Sequence, residues 1–489
     1  MPIATQDFGQ CLAQLLKEKR TSASELARLM AYKSRNSVFR ILDGECAHGT
    51  RQAFFLRLKE ENPLGLNEED FAQLEEALEL SRIGAVAYRN NLAMRELLTG
   101  SDDDVPPMRI IGPDKQDGWD ILFRILDAPQ IEILIFGCCE RRILSAMRKR
   151  LSERKTEGGV RVMHFIYAGQ EELIRAISAI QPMIYADFYT AYCVEPGVFS
   201  KQREQMYRTN TVYMRWQDEA ENWHEQPFIL VDEDLFCALG ERKIRRSNAM
   251  RMLMEEDMRK MPPLKMMFAS DDIMPDYVAY TDMCRKFEQG HAIYTVKLDM
   301  AFPYIATDIL VQCAMESFVA AGLEQKQAEE IIGELSVIHE RRFENIFSKR
   351  KSTHTIFSRE FMEQFARTGR LTDHFFGLRP YTPTERAKIL YHILEQTKTN
   401  PYFDVYFFKD GFEPPLMEIT LYEGVGTMMT KPFTDYNLAG DHAEVMMTNE
   451  DFCACYKTFF AENLLAQQVM TREETIMELE RLIEITKEA

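Results

Sequence analysis

Apolar residues recur at helical spacing in two short blocks within residues 22–44, and polar residues separate the blocks. Ser22 precedes the first block, and Glu25 stands three residues later, which predicts a helix that starts with a capping box. Gly44 follows the second block, where a glycine commonly ends a helix. The positions predicted to be buried are Leu26, Ala27, Leu29 and Met30 in the first block and Val38, Ile41 and Leu42 in the second. The pattern therefore predicts two short helices joined by a tight turn at residues 31–33.

The polar side of the second helix carries side chains suited to base edges and phosphates. Ser34 can cap this helix, and Arg, Asn and Ser residues cluster at its exposed start. Arg pairs with guanine, Asn with adenine, and Ser with either bases or phosphates. The residues predicted to contact DNA are Lys33, Ser34, Arg35, Asn36, Ser37 and Arg40.

Residues 6–60 resemble the phage-repressor-like (Xre-type) helix-turn-helix family. The resemblance covers an amphipathic first helix (FGQCLAQLLKEKR), the ELARLM helix, the SRNSVFRIL helix with its DG stop, and RQAFFLRLKE. It places residues 25–27 on the first motif helix and residues 34–40 on the recognition helix. Two features depart from the family pattern: Ala31 stands where a turn glycine is usual, and the turn is one residue longer than the commonest form. The resemblance implies a DNA-binding module, and the alternative is a small helical bundle with no DNA role.

The charge distribution supports a nucleic-acid role for this region alone. Residues 1–60 hold ten basic and six acidic residues, a net charge of +4, whereas the whole chain has a net charge of −18. The remainder therefore carries −22. A basic head on an acidic body is expected when one module touches phosphate and the rest does not. The acidic body argues against wrapping of long nucleic acid and against an anionic membrane surface.

The rest of the chain predicts several further domains. Asn67 and Asp70 suit the start of a helix that completes the bundle, and residues 101–118 have the acidic, proline- and glycine-containing composition of a linker. Strand and helix patterns then alternate, as in IEILIFGCC, ERRILSAMRKRLSERK and VRVMHFIYAG, which favours a parallel sheet. Residues 271–400 read mainly as helices, and residues 401–448 return to strands before two closing helices.

The predicted fold class is multidomain: an N-terminal all-α helix-turn-helix bundle, followed by a mixed α/β body with a largely helical insertion. The predicted divisions are a DNA-binding domain (1–82), a connecting helix and linker (83–117), an α/β sensor subdomain (118–270), a mainly helical segment (271–400) and an α/β subdomain with C-terminal helices (401–489). The stretches FILVDEDLFCALG and VGTMMTKPF through FCACYKTFF each end an α/β half, which suggests an internal duplication. In this respect the body resembles phospholipase-D-like sensor folds. It lacks their histidine–x–lysine motif, so the resemblance implies that catalysis is absent.

Known catalytic and metal-binding signatures are absent from the sequence. There is no GxSxG, GxxxxGK[ST], HExxH or CxxC motif, and the lone GxG at residues 424–426 lacks a third glycine. His339 is interpreted as a surface residue of a charged helix, and the adjacent Cys138 and Cys139 as buried hydrophobic residues. A carboxylate cluster at residues 232–234 is interpreted as a solvated hairpin tip. We therefore expect no cofactor and no metal, and an enzyme is the less favoured interpretation.

The hypothesis is a sequence-specific transcriptional regulator with a large C-terminal region for ligand sensing and dimerisation. Its expected partners are double-stranded DNA, a small-molecule effector held by a Met-rich interior, and a second copy of the chain. A homodimer is expected because one recognition helix covers only a half-site, and the apolar stripes of residues 325–349 and of the last helix are candidate dimer elements. With no run of 18 apolar residues and no signal pattern, the expected location is cytoplasmic, without a membrane partner. The alternative is an enzyme or defence-type effector fused to a helix-turn-helix module.

Overall fold

The protein is a multidomain α/β protein, and it divides into two compact units, Met1–Leu92 and Ala93–Ala489. The computed structural model describes residues 7–32, 34–99, 109–113, 117–137, 141–153, 159–167, 170–184, 186, 188–194, 197–232, 235–238, 242–243, 256–259, 261, 273–298, 300–371, 378–413, 415–431 and 443–488. Lys33, Cys138 and Cys139, Glu233 and Asp234, and most of the predicted linker lie outside the described residues.

The N-terminal unit is a helical bundle. Its helices are α1 (Phe8–Glu18), α2 (Ala23–Leu29), α3 (Asn36–Leu42), α4 (His48–Glu61) and α5 (Glu68–Ile83), and α6 (Ala85–Thr99) follows across the boundary between the units. Each of α1–α5 contributes fully buried side chains to one core, for example Leu12, Leu26, Val38, Phe54 and Leu74. A capping box between Asn67 and Asp70 begins α5, as the sequence predicts.

Hydrogen bonds at the end of α2 fix the turn toward α3. The Tyr32 N–H donates to the Ala27 carbonyl (2.9 Å) and the Ala31 N–H donates to the Arg28 carbonyl (3.1 Å), which together form a Schellman motif. This motif requires a left-handed residue at its centre, and Ala31 has φ +49°. The position that departs from the family pattern is therefore left-handed, although its residue is not glycine. Gly44 ends α3 in the same way, with φ +71° and a hydrogen bond from the Glu45 N–H to the Arg40 carbonyl (2.9 Å).

The prediction of which α2 residues are buried is correct at three positions and wrong at one. Leu26, Ala27 and Met30 are buried, whereas Leu29 is 44% exposed. The three buried side chains already cover the arc of this short helix that faces the core, and Leu29 lies outside that arc. The close approach of α1 to α3 is another constraint, because a Cβ at Gly9 would lie 2.2 Å from the Leu42 carbonyl oxygen.

In the C-terminal unit, the first sheet follows the order β1-β7-β6-β5-β2-β3-β4, and β8 pairs with β6. Its strands are β1 (Arg109–Ile111), β2 (Gln130–Gly137), β3 (Val160–Tyr167), β4 (Tyr189–Val194), β5 (Asn210–Gln217), β6 (Trp223–Asp232), β7 (Leu235–Ala238) and β8 (Arg242–Lys243). The helices among them are α7 (Gly118–Leu126), α8 (Arg141–Ser152), α9 (Gln170–Ile184) and α10 (Lys201–Tyr207). Strands β2, β3 and β4 are parallel, and β5, β6 and β7 continue the sheet from β2 in antiparallel pairs.

The second sheet follows the order β11-β10-β9-β12-β13-β14. Its strands are β9 (Ile293–Lys297), β10 (Thr353–Phe357), β11 (Phe403–Phe407), β12 (Glu418–Tyr422), β13 (Gly426–Lys431) and β14 (Ala443–Met447). The helices of this half are α11 (Ile273–Glu288), α12 (Thr307–Ala320), α13 (Gln325–Ile346), α14 (Arg359–Thr368), α15 (Pro383–Thr399), α16 (Glu450–Thr458), which continues as a π-helix over Phe459–Gln468, and α17 (Arg472–Glu488).

The two sheets share one connection pattern. In each, three parallel strands follow one another outward, and three antiparallel strands then continue from the other side of the first strand. Such a repeat of strand order is what an internal duplication of an α/β half produces. Buried residues of both sheets also belong to one apolar core, which includes Ile133 of β2, Val296 of β9 and Tyr456 of α16.

Three strands fall where the sequence pattern predicts something else. Strand β1 lies within the stretch predicted as a linker, and it pairs in parallel with β7. Strands β9 and β10 lie inside the segment predicted to be mainly helical, at the centre of the second sheet. Both are five residues long, and long helices flank them, so the helical periodicity of their neighbours dominates the local pattern.

Polar residues are buried where α11, α12 and α13 meet. The interpretation of His339 as a surface residue is wrong, because this side chain is only 5% exposed and lies on the side of α13 that faces the 3₁₀ turn at Phe302–Tyr304. Its Nε2–H donates to the Phe302 carbonyl (2.9 Å), and its Nδ1 lies 3.0 Å from the Thr307 hydroxyl. One turn away, the Arg342 guanidinium donates to the buried carboxylate of Glu288 at 2.6 and 2.9 Å.

The candidate dimer stripe of the last helix is largely used inside the chain. Leu479, Leu482 and Ile483 of α17 are buried in the apolar core of the second half, while Met477 is 60% exposed. Ile332 of α13 is buried in the same way. The last helix therefore leaves little of its stripe for a second copy, whereas Ile331, Leu335 and Ile338 of α13 remain partly exposed.

We predict that Ala31→Gly stabilises the segment formed by α2 and α3 and that Gly44→Ala destabilises it. A left-handed conformation costs an L-residue roughly 1–2 kcal/mol, which exceeds the entropy cost of glycine, so each change should shift local stability by about 0.5–1 kcal/mol. Hydrogen–deuterium exchange of the α2 and α3 amides in the intact chain measures both shifts. Equal or faster exchange in Ala31→Gly would contradict the role assigned to Ala31.

We also predict an acid-sensitive contribution from His339. Burial, together with the charge of Arg342, lowers the pKa of His339 to about 4 from an ordinary value of 6.5. The unfolded chain therefore takes up a proton between pH 6.5 and pH 4 that the folded chain does not, and folding stability falls as pH decreases through this window, by about 3 kcal/mol in total. Below pH 4 both states are protonated, and this contribution no longer changes.

The measurement is the free energy of unfolding of the wild type and of His339→Gln between pH 7 and pH 4. The variant is expected to be less stable at pH 7 but to show a shallower decline on acidification. His291→Gln, which removes a histidine bound to the Glu423 carbonyl, is the matched control. A parallel pair of curves for wild type and His339→Gln would refute the assignment.

Candidate nucleic-acid interface and ligand cleft

The α3 helix presents most of the predicted DNA-contacting side chains to solvent. Ser34, Arg35, Asn36 and Arg40 are exposed, and Ser37 is half-buried. The helix begins at Asn36 rather than at Ser34, but the Ser34 hydroxyl accepts a hydrogen bond from the Asn36 N–H (3.2 Å) and so contributes to its start. Lys33 lies outside the described residues.

Packing determines which side of α3 is exposed. Val38 is fully buried and Ile41 is 2% exposed, and both belong to the core of the bundle. Residues three and four positions apart share one face of a helix, so burial of these two leaves the opposite face to solvent. The structure thus brings Arg35, Asn36 and Arg40 to one solvent-facing side.

The guanidinium groups on this face are available to a ligand. Among the described residues, neither Arg35 nor Arg40 forms an ion pair, whereas Arg28, Arg57 and Arg82 pair with glutamates of their own helices. An unpaired surface guanidinium can bind phosphate or a guanine edge without first breaking an internal contact. Arg35 and Arg40 could therefore bind phosphate or a base edge without breaking an ion pair among the described residues.

Sequence reasoning missed one residue of this face. Phe39 is 42% exposed and lies three residues after Asn36, so these two side chains are neighbours on the helix surface. The signal was in the pattern, since Phe39 is three residues after Asn36 and lies off the stripe formed by Val38 and Ile41.

A second candidate site lies at the carboxyl ends of parallel strands in the second sheet. A cleft of about 720 Å³ opens where β10 ends at Phe357 and β11 ends at Phe407, and α14 begins beside it. Open α/β sheets commonly bind ligands at this edge, because loops leave the strands there and helix N-termini point toward it. Ser358, which precedes α14, lines the cleft, is 4% exposed and does not use its side chain to cap the helix.

Arg359, Glu363 and Asp410 line this cleft, and ion pairs connect them to α17 behind it. The Arg359 guanidinium donates to Asp410 (2.7 Å) and to Glu478 (2.8 Å), and Arg481 joins Glu478 to Glu363, both at 2.6 Å. Burial raises the pKa of Glu478, but hydrogen bonds from Arg481 and Arg359 outweigh it and hold the pKa below its usual value. The network ties α14, α17 and the loop after β11 together, and it neutralises the arginine charge. The cleft is therefore lined by Ser358, whose side chain does not cap α14, and by residues of the first turns of that helix.

Other chemistry is sparse in the part of the chain that the structure describes. No group of three or more His, Cys, Asp and Glu side chains there could hold a metal ion. His354 stacks on Tyr294 and lies 3.3 Å from the Asp404 carboxylate, and His224 stacks on Trp216 and contacts Asp218 at 2.9 Å. None of the described helices is both long and apolar enough to cross a membrane.

Comparison with known proteins does not identify a family for this chain. No protein-family model matches the chain, and no curated protein matches it. Among solved structures, a polyphosphate kinase from Porphyromonas gingivalis aligns with 76% of this chain and 54% of its own, at 8% sequence identity and a TM-score of 0.21. The chain thus spans about half the length of that kinase, and a similarity this low supports no inference about fold or function.

Proposed function

We propose that the protein is a sequence-specific DNA-binding transcriptional regulator whose N-terminal unit binds the operator. The observation that carries the proposal is the exposed face of α3, where Arg35, Asn36 and Arg40 stand on a helix anchored in the bundle core by Val38 and Ile41. A recognition helix needs this combination, because its polar side chains must reach base edges while its apolar side fixes the angle of entry into the major groove.

The remaining charges agree with a DNA contact confined to this unit. The +4 charge of residues 1–60 attracts phosphate, whereas the −22 charge of the remaining chain repels it. Acidic residues after residue 60, most of them in α5, bring the whole N-terminal unit to 12 basic and 13 acidic residues, a net charge of −1. DNA would therefore meet the surface formed by residues 1–60, and the more acidic C-terminal unit would stay away from the duplex. Two copies would bind as a homodimer, since one α3 helix spans only a half-site.

The C-terminal unit acts in this proposal as the effector-binding part. We place the effector in the cleft between Ser358 and Phe412, because that cleft combines a sheet edge suited to ligands with a nearly buried hydroxyl. The ion-pair network across the cleft joins two helices and a loop, so a ligand that disturbs it can move these elements together. An enzyme or defence-type effector in the same unit is the alternative, and catalytic turnover by the purified protein would favour it.

Removal of the α3 side chains is expected to abolish specific binding. Deleting one side chain that reads a base costs roughly 1–3 kcal/mol, so Arg35→Ala/Asn36→Ala/Arg40→Ala should bind its operator at least tenfold more weakly. The operator is first obtained by selection from random duplexes with the intact chain, and affinity is then measured by fluorescence anisotropy. Arg57→Ala/Arg82→Ala, which also removes two positive charges but from ion-paired positions, is the control and should bind nearly as the wild type does. A correctly folded triple variant with normal affinity would show that α3 does not read DNA.

Operator binding is also expected to weaken steeply with salt. The affinity of a dimer that makes about 6–10 phosphate contacts falls by roughly 10³–10⁵ between 50 and 200 mM salt, because bound counterions are released from DNA. Titrations of the intact chain at four salt concentrations give the slope. An affinity independent of salt would exclude phosphate contacts and, with them, a DNA-binding role for the basic residues 1–60.

A further inference from the structure

The polar face of α3 contains one large apolar side chain. Phe39 is 42% exposed, although phenylalanine gains free energy when it is buried. Its ring makes no aromatic contact with the residues that the structure describes. Asn36 lies one turn before it, Asp43 one turn after it, and Arg40 beside it, all exposed.

Isolated exposed apolar residues are common on protein surfaces, and the N-terminal unit has others. Leu29 on α2 is 44% exposed and Leu56 on α4 is 57% exposed. Position distinguishes Phe39 from both, because only Phe39 stands on the face of α3 between the side chains proposed to contact bases. A duplex held by Asn36 would pass close to the ring of Phe39, because residues three apart are neighbours on a helix surface.

The major groove offers one apolar group to such a ring. Every base edge there presents hydrogen-bond donors or acceptors, and thymine adds the C5 methyl group, against which an apolar side chain such as phenylalanine packs. A polar base edge beside the ring would be stripped of water without forming a hydrogen bond, which is unfavourable. A thymine next to the bases read by Asn36 and Arg40 gives the ring an apolar contact and avoids placing an unpaired polar base edge against it.

We infer that Phe39 is a specificity-determining residue that reads the C5 methyl group of a thymine in the major groove. The inference rests on the proposed DNA-binding function and adds to it a required base and the residue that selects it. Operators of this protein should therefore hold a thymine at a fixed position in each half-site, adjacent to the bases contacted by Asn36 and Arg40.

Substitution of deoxyuridine for thymine tests this directly, because deoxyuridine lacks only the methyl group. Operators selected with the intact chain are synthesised with each thymine replaced in turn, and affinities are measured at one fixed salt concentration. At one position per half-site the wild type should bind roughly fourfold more weakly, which is the factor expected when one buried methyl group is removed. Replacement at the other thymines should have little effect.

Two variants identify the side chain responsible. Phe39→Ala should bind the thymine and deoxyuridine operators equally, whereas Leu56→Ala, which removes an exposed apolar side chain outside α3, should keep the wild-type preference. The inference stays refutable even if Phe39→Ala does not fold, because indifference of the wild type to every deoxyuridine overturns it without any variant.

The possible failures are distinguishable. Salt-dependent operator binding that is indifferent to every deoxyuridine overturns the role of Phe39 and leaves the proposed function intact. A methyl preference that persists in Phe39→Ala likewise overturns it. A change of oligomeric state in Phe39→Ala without a change in methyl preference assigns the ring to a protein contact. Absence of operator binding by the wild type overturns both proposals.

Discussion

Burial of Val38 and Ile41 in the N-terminal core is the constraint on which the candidate DNA-binding face depends. Both side chains lie in the same core as Phe8, Leu26 and Phe54, so α3 cannot rotate about its axis without exposing them. Their burial holds Arg35, Asn36 and Arg40 toward solvent. Two further contacts restrict the position of α3: the Schellman turn through Ala31 at its start and the backbone approach of Gly9 to Leu42 at its end.

The turn before α3 shows how the chain meets a conformational requirement without the preferred residue. Ala31 adopts a left-handed φ of +49° because the hydrogen bonds of Tyr32 and Ala31 close only in that conformation. The ring of Tyr32 stacks on the ring of Phe54, with their centroids 6.0 Å apart, and the Arg57 guanidinium lies over the Tyr32 ring. These contacts hold the turn in place and offset the strain at Ala31.

In the C-terminal unit, a repeated topology creates one long core and two sheet edges with different surroundings. The core runs from β2 of the first sheet to β9 of the second, so the two halves stabilise one another. At the carboxyl edge of the second sheet, the chain of ion pairs from Asp410 to Arg367 spans separate elements of structure. Paired charges of this kind contribute little stability when exposed, but they set the relative positions of α14 and α17, and with them the shape of the cleft.

The sequence alone determined the elements with strong local signals. Helical spacing of apolar residues located α2 and α3, the Asn67–Asp70 pair located the start of α5, and continuous apolar runs located β2 and β3. Local signals suffice there because capping and periodicity arise from residues a few positions apart. The same spacing identified Arg35, Asn36 and Arg40 as members of one exposed face.

Only the tertiary structure decided features that depend on residues far apart in the chain. Strand β1 exists because it pairs with β7, over a hundred residues later, and β9 is central because β10 and β12 flank it. His339 is buried because the turn at Phe302 covers it, although its own segment is rich in charge. Leu29 and Phe39 remain exposed because neighbouring residues already fill the core. Such pairing and burial depend on distant partners, and no local pattern of hydrophobic and polar residues records which partner a segment will meet.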